Sequence, residues 1–92
     1  MKIKTLNEFK KLEVGDLINI DGDVCIIVSV GYHDDRAFVK IADFEPGDGI
    51  ETDDTPIEGT EYILLFSEAK NHVEPMVDLS FRKENPAFAE KE

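Results

Sequence analysis

Between Ile41 and Ala69 the chain carries nine carboxylates and neither a lysine nor an arginine: Asp43, Glu45, Asp48, Glu51, Asp53, Asp54, Glu58, Glu61 and Glu68. Grouped carboxylates support three kinds of chemistry. A pair can do acid–base work when its surroundings drive the two pKa values apart. A tight cluster can hold a hard cation with about six to eight oxygens. An extended array attracts basic partners and repels nucleic acid.

The first two are poorly supported. With twenty-one Asp and Glu among 92 residues, neighbouring acids are unavoidable, so a pair carries little information. No Gly-rich phosphate loop, nucleophile elbow or Ser-His-Asp pattern is present, and a chain of this length offers little concave volume for a substrate. No enzyme is expected. The stretch Asp48-Gly-Ile-Glu-Thr-Asp-Asp54 supplies oxygens without the spacing of an EF-hand loop. Asp21-Gly-Asp23 reads more simply as a hairpin turn. His33 beside Asp34 and Asp35, His72 and a lone cysteine make no zinc pattern. Neither a metal nor a cofactor is expected.

The third kind fits the distribution of charge. The net charge is −11. Residues 1–12 sum to +3, with Lys2, Lys4, Lys10 and Lys11 against Glu8. Residues 13–78 sum to −14, and residues 79–92 to zero. The acid therefore belongs to the middle of the chain and not to a tail. Duplex DNA presents about one negative charge per 1.7 Å of axis, which its binding proteins neutralise with Lys and Arg. Alternate residues of a strand lie roughly 6.6 Å apart, so strands and their turns can hold carboxylates in comparable rows. The residues expected to contact a partner are Asp43, Glu45, Asp48, Glu51, Asp53, Asp54, Glu58 and Glu61, with Asp21, Asp23, Asp34 and Asp35 extending the row. The plainer reading is a solvated surface that keeps the protein soluble. The N-terminal lysines flank a helix, or pair with the acidic body in a homodimer; direct contact with nucleic acid is not expected.

These side chains need a scaffold, and the apolar pattern describes one domain. Thr5-Leu-Asn-Glu8 has capping-box form, and Leu6, Phe9 and Leu12 share a helical face, so residues 5–12 are expected as a short helix that Val14-Gly15-Asp16 stops. Residues 17–42 read as a three-strand core. Asp21-Gly22 forms a hairpin turn. The stretch 24–30 is apolar at both parities, as a central strand would be, with Cys25 as a small buried hydrophobe. Residues 31–35 are a turn, and Ala37, Val39 and Ile41 share one face of the next strand, with Phe38 on the other. Residues 43–61 are a long acidic loop. Residues 62–81 hold the last strands, with a helical turn capped by Ser67 and a strand over 74–81 that Pro75 opens. Residues 82–92 are expected to fray. The fold class is mainly β with some α: a small antiparallel SH3-like barrel or curved sheet of about five strands with a short N-terminal helix.

The run Leu12-Glu-Val-Gly-Asp-Leu-Ile-Asn-Ile-Asp-Gly-Asp-Val24 resembles the opening of SH3-like barrels of KOW and Tudor type. Nucleic-acid-binding barrels of that kind are basic, which this chain is not. A methyl-lysine cage would have to come from Tyr32, Phe38, Phe44 and Tyr62. In size, charge and single compact domain the chain also resembles the small acidic inhibitors that bacteriophages make against host restriction, CRISPR and repair enzymes, or against nucleoid and transcription proteins. That resemblance implies a DNA mimic whose partner is the basic surface of a DNA- or RNA-binding protein. The alternative is an SH3-like adaptor that binds a protein segment through an apolar groove or a sheet edge. No apolar run approaches the roughly 18–20 residues that span a membrane, and Met1–Lys11 lacks a following apolar h-region, so a cytoplasmic protein without membrane contact is expected.

Overall fold

The structure, a computed structural model, describes residues 1–44 and 61–88. Their elements are α1 (Leu6–Phe9), β1 (Leu17–Ile20), β2 (Asp23–His33), β3 (Arg36–Asp43), β4 (Tyr62–Leu65), α2 (Phe66–Ala69), β5 (Val73–Pro75) and a 3-10 turn at Pro86–Phe88. The strands form one antiparallel sheet in the order β4-β3-β2-β1-β5. Its two outer strands do not pair with each other, so the sheet stays open and the barrel form of the expectation is not made.

Each hairpin follows from its turn residues. Asp21 (φ 50°) and Gly22 (φ 102°) link β1 to β2, and Asp34 (φ 51°) and Asp35 (φ 63°) link β2 to β3. Two consecutive residues at positive φ are the turn whose twist matches antiparallel strands. The second turn is shorter than expected, because β2 runs on through His33.

Strand β2 is central, as its composition predicts, and the reason is more specific than burial on two faces. Its register on β3 jumps from Ile27↔Ile41 to Ser29↔Lys40, which leaves Val28 as the extra residue of a bulge. Before it, Cys25 and Ile27 face the core; after it, Val30 and Tyr32 do. The core side thus changes parity inside one strand. On β3 the predicted face of Ala37, Val39 and Ile41 is buried throughout.

The core lies on that side, where Ile3, Phe9, Leu12, Ile18, Leu64, Val73 and Phe88 join the strand residues. The ring of Phe9 meets Phe66 at 5.5 Å and Phe88 at 5.8 Å between centroids. Three expectations are corrected at its margins. The N-terminal helix ends at Phe9, with Thr5 and Glu8 forming the predicted capping box. The turn of α2 is closed by the Glu68 carboxylate on the Leu65 amide at 3.0 Å, not by Ser67. The last strand stops at Pro75, because Asp78 takes the Ser80 amide at 2.9 Å and turns the chain away.

Residues 82–88 are anchored where fraying was expected, and residues 89–92 lie outside the described residues. Phe88 is 1% exposed. The Asn85 amide donates to the Lys10 carbonyl at 2.7 Å and its side chain to the Leu12 carbonyl at 3.0 Å. Arg82 grips Asp16 through two bonds of 2.6 and 3.2 Å. Sequence reading missed this strap because its anchors are single residues without periodicity.

Candidate partner-binding surface

Of the eight residues expected to contact a partner, Asp43 and Glu61 are described, and Glu45, Asp48, Glu51, Asp53, Asp54 and Glu58 lie outside the described residues. Asp43 is the last residue of β3 and Glu61 directly precedes β4. The pairing of Ile41 with Tyr62 brings those two strand ends side by side. Cys25 pairs with Asp43, and Asp23, two residues earlier in β2, shares the Cys25 face. The structure thus sets Asp23 and Asp43 on one face at one corner of the sheet, while Glu61, at the parity of Ile63 and Lys40, belongs to the opposite face; all three are exposed. Glu61 meets Lys40 at 3.2 Å.

Cys25 and Tyr62 are the residues at this corner that charge alone does not suggest. The Cys25 thiol lies 4.0 Å from an Asp43 oxygen. Burial pushes its pKa up; a hydrogen bond from Tyr62 opposes this, and the carboxylates of Asp43 and Asp23 add to it. The Tyr62 hydroxyl is raised by burial first, then by Cys25, Asp43 and Asp23. Both groups feel the same two carboxylates, which marks the corner as a local negative field. Neither group is activated as a nucleophile, since a raised pKa keeps it protonated.

Of the other acids expected in the row, Asp21 lies in the turn two residues before Asp23, and Asp34 and Asp35 are elsewhere. Asp34 and Asp35 sit beyond Arg36, at the far end of β3 from Asp43, seven residue steps or roughly 23 Å away at ordinary strand rise. Asp34 meets His33 at 3.4 Å, and Asp21 meets His72 at 3.2 Å. One continuous row over Asp21, Asp34, Asp35 and Asp43 is therefore not formed. Among the described residues, no three His, Cys, Asp or Glu side chains gather in a way that could hold a metal.

The four aromatics do not form a cage. Tyr32 faces the core side with Lys10 5.5 Å above its ring. Phe38 faces the other side against His33. Phe44 is buried and Tyr62 stands at the acidic corner. Tyr32 instead lines a groove of about 280 Å³ with Leu6, Ala37, Leu65 and Phe66, and with the charged side chains of Asp35 and Arg36. No helix among the described residues is long and apolar enough to cross a membrane.

Comparison with protein-family models, characterised proteins and solved structures returns no match.

Proposed function

We propose that the protein is a non-enzymatic, acidic binding domain of the cytoplasm that engages the basic surface of a nucleic-acid-binding protein or nuclease in place of DNA, in the manner of phage-encoded inhibitors. The observation that carries this reading is the segregation of charge. Nine acids without a Lys or Arg occupy the chain between Ile41 and Ala69, and the pairing of β3 with β2 sets Asp43 near Asp23, with Glu61 at the neighbouring strand end. A solubilising surface mixes both signs; this one concentrates one sign around a connection. The domain itself would repel nucleic acid.

The test is capture from nuclease-treated lysate, with elution by a salt gradient. A DNA-binding protein or nuclease that leaves at moderate salt and is displaced by duplex DNA supports the reading, since exposed charges are screened over about 8–10 Å near physiological ionic strength. Replacing Glu45, Asp48, Asp53 and Asp54 by their amides should then weaken capture without unfolding the domain. A captured protein that DNA does not displace would overturn mimicry. The groove beside Tyr32 favours the second reading, an adaptor for an apolar segment. It predicts binding that is insensitive to salt and lost in Tyr32→Ala.

A further inference from the structure

The open sheet has two outer edges, and they are finished differently. At β5 the Ile3 amide donates to the Val73 carbonyl at 2.8 Å, and the Asn71 amide donates to the Ile3 carbonyl at 2.8 Å. The N-terminal segment therefore occupies that edge. Pro75 blunts what remains. The Met76 amide bonds to the Leu17 carbonyl at 3.0 Å, so the alternation of an antiparallel ladder turns position 75 outward, where a missing donor breaks no sheet bond.

Among the described residues, the outer edge of β4 carries neither device. No strand among the described residues pairs with it. The Leu65 amide is spent on Glu68 and so points away from β3. With a period of two, the amide and carbonyl of Ile63 point the same way. Ile63 is 41% exposed and Tyr62 46%. An edge that presents a matched donor and acceptor is a template for another strand. Its surroundings select the occupant. Tyr62 lies beside Asp43 and Asp23, while Glu61 and Lys40 pair at the start of the strand.

We infer that the outer edge of β4 takes up an extended, lysine- or arginine-bearing segment of the partner as a further strand, hydrogen-bonded at Ile63, with a cationic side chain beside Tyr62 and Asp43. This rests on the basic-partner reading above and names how that partner is held. Backbone bonds supply a fixed register, and the acidic corner supplies the preference for a cation. The Tyr62 ring adds a face on which an ammonium or guanidinium group can rest.

The probe is the heptapeptide Lys-Val-Lys-Val-Lys-Val-Lys, set against the same peptide with every backbone amide methylated, each titrated into the isotope-labelled full chain. The charge is equal and only the strand-forming amides differ. The unmodified peptide should bind and slow exchange of the Ile63 amide. The methylated one should bind at least about tenfold more weakly, as expected for the loss of one or two hydrogen bonds. Equal affinity for both, with Ile63 exchange unchanged, overturns edge docking and leaves charge-led binding standing. Failure of both peptides to bind overturns both. An Ile63 amide already protected without peptide also overturns the inference: protection that grows with protein concentration assigns the edge to a second copy, and constant protection assigns it to the chain itself.

Discussion

Two corners of this domain hold carboxylates and use them in opposite ways. At the first, Asp16 is 8% exposed and fully engaged. It accepts the Glu13 amide at 2.8 Å and both Arg82 bonds, and the pairing raises the Arg82 pKa further. At the second, Asp23, Asp43 and Glu61 stay in solvent at the ends of β2, β3 and the start of β4. A charge taken out of water has to be matched by a partner in the fold, so the first corner is structural. An exposed charge contributes little to stability even where it is paired, as Glu61 is with Lys40, so the second corner is not required by the fold. Position in the fold, not residue type, separates the two roles.

The comparison can be strained most severely through the strap that delivers Arg82. Phe88→Ala removes a buried ring from against Phe9, and such truncations cost about 3–5 kcal/mol. Urea unfolding should show a loss of that order. A loss below about 1 kcal/mol would mean that residues 82–88 lie on the core without belonging to it. Arg82→Ala is next. It strands Asp16 with one amide for company, at a cost of about 3 kcal/mol. The double substitution Asp16→Leu with Arg82→Met should recover much of that stability, because the buried charge goes with its partner. If the double variant is as unstable as Arg82→Ala, the pair does more than neutralise itself.

The solvent corner gives the contrasting result. Changing Asp23, Asp43 and Glu61 to their amides should leave stability within about 0.5 kcal/mol of the parent, while Asp16→Asn should destabilise clearly. Matching losses at the two corners would erase the distinction drawn above.

Much of this was legible in the sequence, and what was hidden has a common cause. The capping box at Thr5 and Glu8, the Asp21-Gly22 turn and the alternating face of Ala37, Val39 and Ile41 are local patterns, each set by backbone geometry within a few residues. The bulge at Val28 was visible only as apolar residues at both parities, a sign that fits burial on two faces equally well. The Asp16–Arg82 pair spans sixty-six positions, and Phe88 reaches Phe9 across most of the chain. Contacts of that kind have no period to detect. The candidate corner was half legible: charge marked Asp23, Asp43 and Glu61, whereas the strand register alone brings Cys25 and Tyr62 beside Asp23 and Asp43.

The smallest effect expected is a titration at that corner. Cys25 ionises in the folded state above its ordinary value of 9.0, and Tyr62 above 10.0, burial being the leading cause for both. The unfolded chain therefore releases these protons at lower pH than the folded one. Their contribution to stability is complete below pH 9 and is lost as the pH rises through 9 to 10 and toward the raised values. In Cys25→Ala one of the two groups is gone, so the fall in stability over this range should be shallower, although the variant starts lower for want of the sulfur's packing. Denaturation followed at several alkaline pH values separates the two effects, because packing shifts the whole curve and the thiol changes only its slope. An unchanged slope would mean that Cys25 titrates alike in both states. The negative field at Asp23 and Asp43 would then have to be sought through Tyr62 alone.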